Sequence, residues 1–205
     1  MTIFYEFGGA LYANITNKCP CACTFCIRKN SDSVGANDSL WLEHEPDLNE
    51  IISAFDSFDK SGLKELVFCG YGEPMERADI LLETARYVKE HTDMKIRINT
   101  NGLVGLINPQ FDISGLKGLI DSISISLNAP DAESYNRVTR PKFGEEAFGA
   151  MLSFAKAAKG IVGEVKFTVV DVISAEEIRR CKAVAAELGI PLRIRHYITD
   201  NVKYE

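Results

Sequence analysis

The sequence predicts an α/β fold, a six-stranded parallel sheet curved into a partial (β/α)6 TIM-like barrel, with residues 1–205 forming a single domain. Three observations predict it. Apolar runs of strand length alternate with helical stripes along the whole chain. Their spacing, about 34 residues per βα unit, implies right-handed crossovers and parallel pairing. One strand carries a wholly polar face, which needs a wet or ligand-filled lumen rather than helices on both sides. Six units are too few for a closed eight-stranded barrel of about 250 residues, but they fit one whose last quarter is missing. A doubly wound open sheet is the competing arrangement.

Taken in order, the strands are expected at Ala10–Thr16, Glu65–Cys69, Lys95–Thr100, Ser122–Asn128, Val165–Asp171 and Leu192–Ile198. Leu48, Ile51, Ile52, Phe55 and Phe58 keep helical spacing after Asp47, with Glu50 completing a capping box and Gly62 beyond the end. Phe148, Met151, Leu152 and Ala155 form a second stripe, stopped by Gly160. Ile178, Cys181, Val184, Ala185 and Leu188 form a third, opened by Ser174 with Glu177 and closed by Gly189 and Pro191.

Composition narrows the function classes. At 46% apolar and 25% charged residues the chain is an ordinary globular one, not a disordered tail or a fibre. No stretch reaches the roughly 20 apolar residues of a membrane span, and the first residues lack a signal pattern, so a cytoplasmic protein is expected. The net charge of −6 argues against a bulk nucleic-acid surface while leaving room for a local basic pocket.

Cysteine usage is the sharpest signal. Four of the six cysteines fall in the run Asn17-Lys18-Cys19-Pro20-Cys21-Ala22-Cys23-Thr24-Phe25-Cys26, directly after the first expected strand. Bunched thiols in a reducing compartment point to metal rather than disulfides. Structural zinc generally uses two separated ligand pairs, and no second pair exists here. Cys19, Cys23 and Cys26 stand at i, i+4 and i+7 and can wrap one face of a cubane, ligating three of its four irons. A missing fourth ligand leaves one iron for something other than protein. Cys21 could replace a neighbour, but it would create gaps less suited to spanning a cubane. Cys69 and Cys181 are expected to be small core residues.

This loop resembles the signature of the radical S-adenosylmethionine (SAM) superfamily, with Cys19, Cys23 and Cys26 as the three cysteines and Phe25 as the aromatic residue before the third. Three further segments match in order. Cys69-Gly70-Tyr71-Gly72-Glu73-Pro74 resembles the family's Gly-Gly-Glu-Pro turn, with Tyr71 where the first glycine usually stands. Asn99-Thr100-Asn101-Gly102 is similar to its Thr-Asn-Gly segment. Ser122, Ser124, Ser126 and Asn128 alternate with Ile123, Ile125 and Leu127, so period two puts the polar side chains on one face. The length and cysteine loop look like the short members associated with TatD-type nucleases.

The resemblance implies a [4Fe–4S] cluster on Cys19, Cys23 and Cys26, whose open iron chelates the amino and carboxylate groups of SAM. It implies SAM contacts from Phe25, Gly70, Gly72, Glu73, Thr100, Asn101, Ser126 and Asn128, with Glu73 on the ammonium group. A one-electron donor such as flavodoxin or ferredoxin would reduce the cluster, and SAM cleavage would give a 5′-deoxyadenosyl radical that removes hydrogen from substrate. The same period-two rule puts Lys95 and Arg97, Lys166 and Thr168, and Arg193, Arg195 and Tyr197 on common faces of their strands. If Arg97, Lys166 and Arg195 look inward, an anionic substrate group is their natural partner. A macromolecular substrate, as for a glycyl-radical-activating enzyme, and a non-catalytic zinc or iron–sulfur module are the alternatives.

Overall fold

The computed structural model describes residues 1–35 and 37–197. Its centre is one seven-stranded sheet of β1 (Phe4–Phe7), β2 (Ala10–Ala13), β3 (Glu65–Phe68), β4 (Lys95–Thr100), β5 (Ser122–Ser126), β6 (Glu164–Val170) and β7 (Leu192–Arg195). The strands lie side by side in chain order, β2 to β7 all parallel. A doubly wound sheet must reverse its strand order part-way, and this one never does. β1 and β7 are not paired with each other, so the barrel is open.

The count differs from expectation by one strand. β1 pairs antiparallel with β2 through the Gly8–Gly9 turn, where φ is +56° and +74°, a backbone that glycine adopts at little cost. β1 hides from a pattern search because it is apolar on both faces. Phe4 packs into the main core, and Tyr5 into a smaller cluster with Val34, Leu40 and Tyr71. Strand ends also move inward. The expected continuation of β2 to Thr16 leaves the sheet after Ala13, and Asn128 lies outside β5 with φ +55°. Ile198, expected in the last strand, lies outside the described residues.

Alternation explains the layering. Leu66 and Phe68, Ile96 and Ile98, Ile123 and Ile125, and Val165, Phe167 and Val169 are buried in the main core. The helices α1 (Leu48–Ser57), α2 (Ala78–His91), α5 (Glu146–Lys159) and α6 (Ala175–Glu187) add Ile51, Phe55, Leu81, Val88, Met151 and Cys181 to it. Both expected capping boxes form, at Asp47 with Glu50 and at Ser174 with Glu177. α2, the single turn α3 (Val104–Ile107) and α4 (Ala132–Thr139) had no expected counterpart. α2 and α3 have no side-chain cap to announce them, and α4 is only eight residues long.

The opposite face of the sheet is polar, as the serine strand predicts. Strand register carries that face across neighbours: Arg97 beside Ser122, Asn99 beside Ser124 beside Lys166, Ser126 beside Thr168 beside Arg193, and Val170 beside Arg195. Paired residues in parallel strands share a face. Arg97, Lys166 and Arg195 therefore lie on the serine side, and the loops after β2 to β6 all leave from one end.

Candidate functional site

The cysteine loop follows β2 and is held mainly by backbone. Ala22 and Thr24 donate to the carbonyls of Thr139 and Val138 at 3.0 and 2.9 Å, and Lys142 donates to Pro20 at 2.8 Å. Cys21 forms an isolated antiparallel bridge with Pro141. The Arg28 guanidinium donates to the carbonyls of Asn17, Cys21 and Tyr71 at 3.3–3.4 Å, gathering the two ends of the loop. Nothing in the sequence marks Arg28 beyond its place two residues after the last cysteine.

Four thiols meet within this loop. Cys21 is buried, while Cys19, Cys23 and Cys26 are half-buried, and all are unpaired. Hydrogen bonding to the Cys21 thiol holds Cys19 and Cys23 below the usual thiol range, and Cys21 is raised by the same contacts. Burial raises Cys26. Among the described residues no three His, Cys, Asp or Glu side chains stand in an arrangement for a single metal ion.

The Gly-Tyr-Gly-Glu-Pro turn after β3 packs directly on this loop. A Cβ on Gly70 would lie 2.0 Å from the Asn14 carboxamide oxygen, and one on Gly72 would lie 2.3 Å from the Thr16 carbonyl oxygen. Neither glycine has positive φ. Both are required by close approach rather than by handedness. For the same reason Tyr71 is tolerated between them: its backbone donates to Asn14 at 3.2 Å with no left-handed demand. Glu73 donates its own N–H to the Lys18 carbonyl at 2.8 Å.

The Glu73 carboxylate carries hydrogen bonds from within the protein. It is 4% exposed and accepts from Thr100 Oγ1 and the Asn101 N–H, both at 2.7 Å, and from the Met75 N–H at 3.0 Å. It ties the turn after β3 to the end of β4. Burial pushes its pKa up to about 7, against the lowering effect of those three hydrogen bonds. Asn101 in turn donates to Cys21 Sγ at 3.8 Å, linking the same corner to the cysteine loop. Gly102, at φ +76°, donates to Thr100 Oγ1 at 3.0 Å and closes the turn.

The cations expected in the lumen divide into two kinds. Arg97 is half-buried and neutralised, with Nε and Nη2 on the Glu65 carboxylate at 3.1 and 2.9 Å and Nη1 on Asn99 Oδ1. Lys166 pairs with Glu164 at 3.2 Å. Arg195 is exposed and has no carboxylate partner among the described residues; nearby Asp171 is taken by His196 and the Tyr197 N–H. Ser126 and Phe25 are half-buried, and Asn128 is buried at the mouth of β5. Cys181 is a core residue as expected. Cys69 is not: it is half-buried after β3, beside Asn99 and within the field of Arg97 and Arg195.

A family model described as "Radical SAM superfamily" matches residues 13–187. The chain belongs to the radical SAM superfamily. Among curated relatives, a GTP 3′,8-cyclase of Corynebacterium glutamicum is 31% identical over 176 residues, 82% of this chain and 43% of that protein. A probable GTP 3′,8-cyclase of Methanocaldococcus jannaschii is 30% identical over 66% of this chain and 41% of its own length. The chain thus spans less than half the length of these relatives. Among solved structures, Streptococcus suis SuiB bound to its precursor peptide SuiA superposes with a TM-score of 0.62 at 14% identity, over 93% of this chain and 40% of SuiB. A radical SAM methyltransferase from Sphaerobacter thermophilus gives 0.60 at 16% identity, over 94% and 68% of the two chains. These likenesses establish the shared partial-barrel fold.

Radical SAM proteins use a [4Fe–4S] cluster and S-adenosylmethionine, and the donor chemistry of this loop fits the cluster. Three half-buried thiols on one short loop, two already held below the ordinary thiol range, are the soft ligands that iron–sulfur clusters take. Arg28, engaged among the described residues only by carbonyl oxygens, supplies positive charge beside them.

Proposed function

We propose that this chain is a radical SAM enzyme core, one domain over residues 1–205, in which Cys19, Cys23 and Cys26 ligate three irons of a single [4Fe–4S] cluster. SAM would lie across the carboxyl ends of β2 to β5, against Phe25, Gly70, Gly72, Glu73, Thr100, Asn101, Ser126 and Asn128. When bound, the two groups supply one-electron cleavage of a sulfonium to give a hydrogen-abstracting 5′-deoxyadenosyl radical. The protein's part is to orient them and to keep water out.

The observation that carries this reading is the meeting of three sequence-distant motifs in one corner. Glu73 is hydrogen-bonded to Lys18 in the cysteine loop through its N–H, and to Thr100 and Asn101 through its carboxylate. In this role Glu73 sets the backbone around the ligand, and the half-buried Ser126 and the Asn128 carboxamide offer hydrogen bonds to it. A cytoplasmic location and reduction by a flavodoxin or ferredoxin complete the reading.

For the substrate, an anionic group is favoured. Arg195 and Arg193 are exposed cations without carboxylate partners among the described residues, and Lys166 lies one strand away on the same face. The relatives named GTP 3′,8-cyclase carry a polyanionic substrate in their description, which agrees in sign. A peptide is the second reading, favoured by the fold likeness to SuiB in complex with its precursor peptide.

Anaerobic reconstitution is the test. About four irons and four sulfides per chain are expected, lost on replacing Cys19, Cys23 or Cys26 by Ala. The reduced protein should release 5′-deoxyadenosine from SAM slowly without substrate. Stoichiometric zinc, or no deoxyadenosine with any reductant, would overturn the reading.

A further inference from the structure

We propose that the outer rim of the cysteine loop, centred on Lys18, Arg28 and Lys142, is the docking surface for an acidic one-electron donor protein. The proposal rests on the cluster ligation above and assigns a partner to that same site.

A depression of about 410 Å³ opens onto this rim, lined by Lys18, Cys19, Pro20, Arg28, Glu76 and Lys142 among others. No residue from any strand of the sheet lines it. Cys19 can therefore be approached here without entering the barrel. Electron transfer slows steeply with distance, so a donor gains most by docking where a ligand sulfur comes nearest the surface.

The charge of the rim is opposite to that of the chain. Three cations face one carboxylate, Glu76, in a protein of net charge −6. Of the three, Lys18 alone has a carboxylate partner among the described residues. Among the described residues Arg28 donates only to carbonyl oxygens. Lys142 lies over the Phe143 ring at 4.9 Å and has no carboxylate partner among the described residues. Lys18 reaches Glu45 only at 3.9 Å, and Glu45 is shared with Arg77 at 3.7 Å. Arg140 and Lys29 add exposed positive charge on either side of Ala22. Glu145 and Glu146, at the start of α5, are the exposed carboxylates that follow Lys142. One cation suffices to offset the cluster with its three thiolates, and the half-buried Arg28, bound to the Cys21 carbonyl, stands beside them. Lys142 and Arg140 are left without a carboxylate partner among the described residues, and Lys18 shares Glu45 with Arg77.

The geometry suits a protein rather than a small anion. No buried polar side chain lines the depression, and its cations are spread around a rim instead of converging. Broad complementary charge of this kind raises encounter rates with an oppositely charged partner. In the step itself the donor loses one electron and the cluster gains it, with no bond made or broken and no proton moved at the surface.

The experiment uses the full chain with its cluster reconstituted anaerobically. Stopped-flow absorbance follows cluster reduction by an acidic flavodoxin in its fully reduced form. Lys18→Glu/Lys142→Glu should slow the second-order rate about tenfold and flatten its dependence on salt. Lys18→Gln/Lys142→Gln should slow it less. The pair Lys117→Glu/Lys182→Glu, which changes net charge equally at exposed sites elsewhere, should stay within about twofold of wild type. Photoreduction by deazaflavin, which needs no docking, should reach the same extent in all four proteins. Equal slowing in the two Glu pairs, or none in the first, overturns the docking surface while leaving the cluster intact. A chain that takes up no cluster overturns the proposed function instead, and the docking surface with it.

Discussion

Around β2, β3 and β4 the polar groups of this protein are used up by one another. Asn14 is buried and spans Thr2, Leu40 and Tyr71; Glu73 takes three donors; Arg97 is bound to Glu65 and Asn99. Around β7 the reverse holds. Arg193, Ile194 and Arg195 are exposed in a row, and Ile194 at 37% exposure is one of the few large apolar side chains left in solvent. One sheet thus carries a finished side and an unfinished one. Parts that bind groups common to the family can be rigid and satisfied in advance, whereas parts that meet a particular substrate stay open until it arrives.

The contrast predicts very different costs for single substitutions. The largest belongs to Gly72→Ala, whose new methyl would lie 2.3 Å from the Thr16 carbonyl oxygen and 2.6 Å from that of Lys18. Both are backbone atoms, so no side chain can swing aside. A loss of about 4 kcal/mol is expected, readable as a fall in urea midpoint or in Tm, together with loss of cluster uptake. A Gly72→Ala protein of wild-type stability would mean that the finished side is looser than its contacts imply.

Next in size is the pH dependence set by Glu73. Its folded pKa of about 7 lies above the ordinary value of 4.5, because burial outweighs its hydrogen bonds. A raised carboxyl pKa means that the unfolded chain ionises first. Glu73 therefore favours the folded state most below about pH 4.5, and this contribution is lost progressively as pH rises to about 7. The loss amounts to up to about 3 kcal/mol, constant above that window. Subtracting the stability of Glu73→Gln from that of wild type at each pH isolates the effect. A difference that does not change between pH 4.5 and 7.5 would contradict the buried, proton-sharing corner.

Much of this contrast is legible in the sequence, and the limits have physical causes. The cysteine spacing, the two capping boxes and the serine face follow from local periodicity and chain chemistry, so they read directly. β1 does not, because two different cores claim its alternate faces. Arg28, Asn14 and the tie from Glu73 to Asn101 do not, because each is a long-range contact of an ordinary residue. The glycines of the turn after β3 are visible as letters, but the reason for them, a backbone crossing against Asn14 and Thr16, exists only in three dimensions. On the open side, period two puts Arg193 and Arg195 on one face of their strand, and the register of the sheet, not the sequence, brings Lys166 to the same side. Which cations remain unpaired is decided by Glu65, Glu164 and Asp171 on neighbouring positions.

A smaller effect separates scaffold from ligand within the finished side. Cys21 is buried and shares hydrogen bonds with Cys19, Cys23 and Asn101. Cys21→Ala should cost about 1 kcal/mol and leave iron and sulfide content unchanged after reconstitution. Loss of the cluster in that variant would move Cys21 from supporting residue to ligand and reopen the ligand set.

The smallest effect on stability belongs to the open side. Arg195→Ala removes an exposed cation that no carboxylate holds among the described residues, so the folded state should change by less than about 0.5 kcal/mol. Cluster content and slow SAM cleavage without substrate should match wild type, because among the described residues the Arg195 side chain makes no hydrogen bond or ion pair with the cysteine loop, although the curved sheet brings Tyr197 within 2.9 Å of Asn30. Turnover of an anionic substrate should fall nonetheless, through a raised KM, since an exposed cation that no carboxylate holds among the described residues is free to hold the substrate's charge. The measurement pairs thermal unfolding with deoxyadenosine release across candidate phosphates and carboxylates. A variant that unfolds like wild type and processes them like wild type would leave β7 an ordinary solvated edge. A variant that unfolds several degrees early would show instead that the edge is stitched into the fold, and the difference between the two sides would disappear.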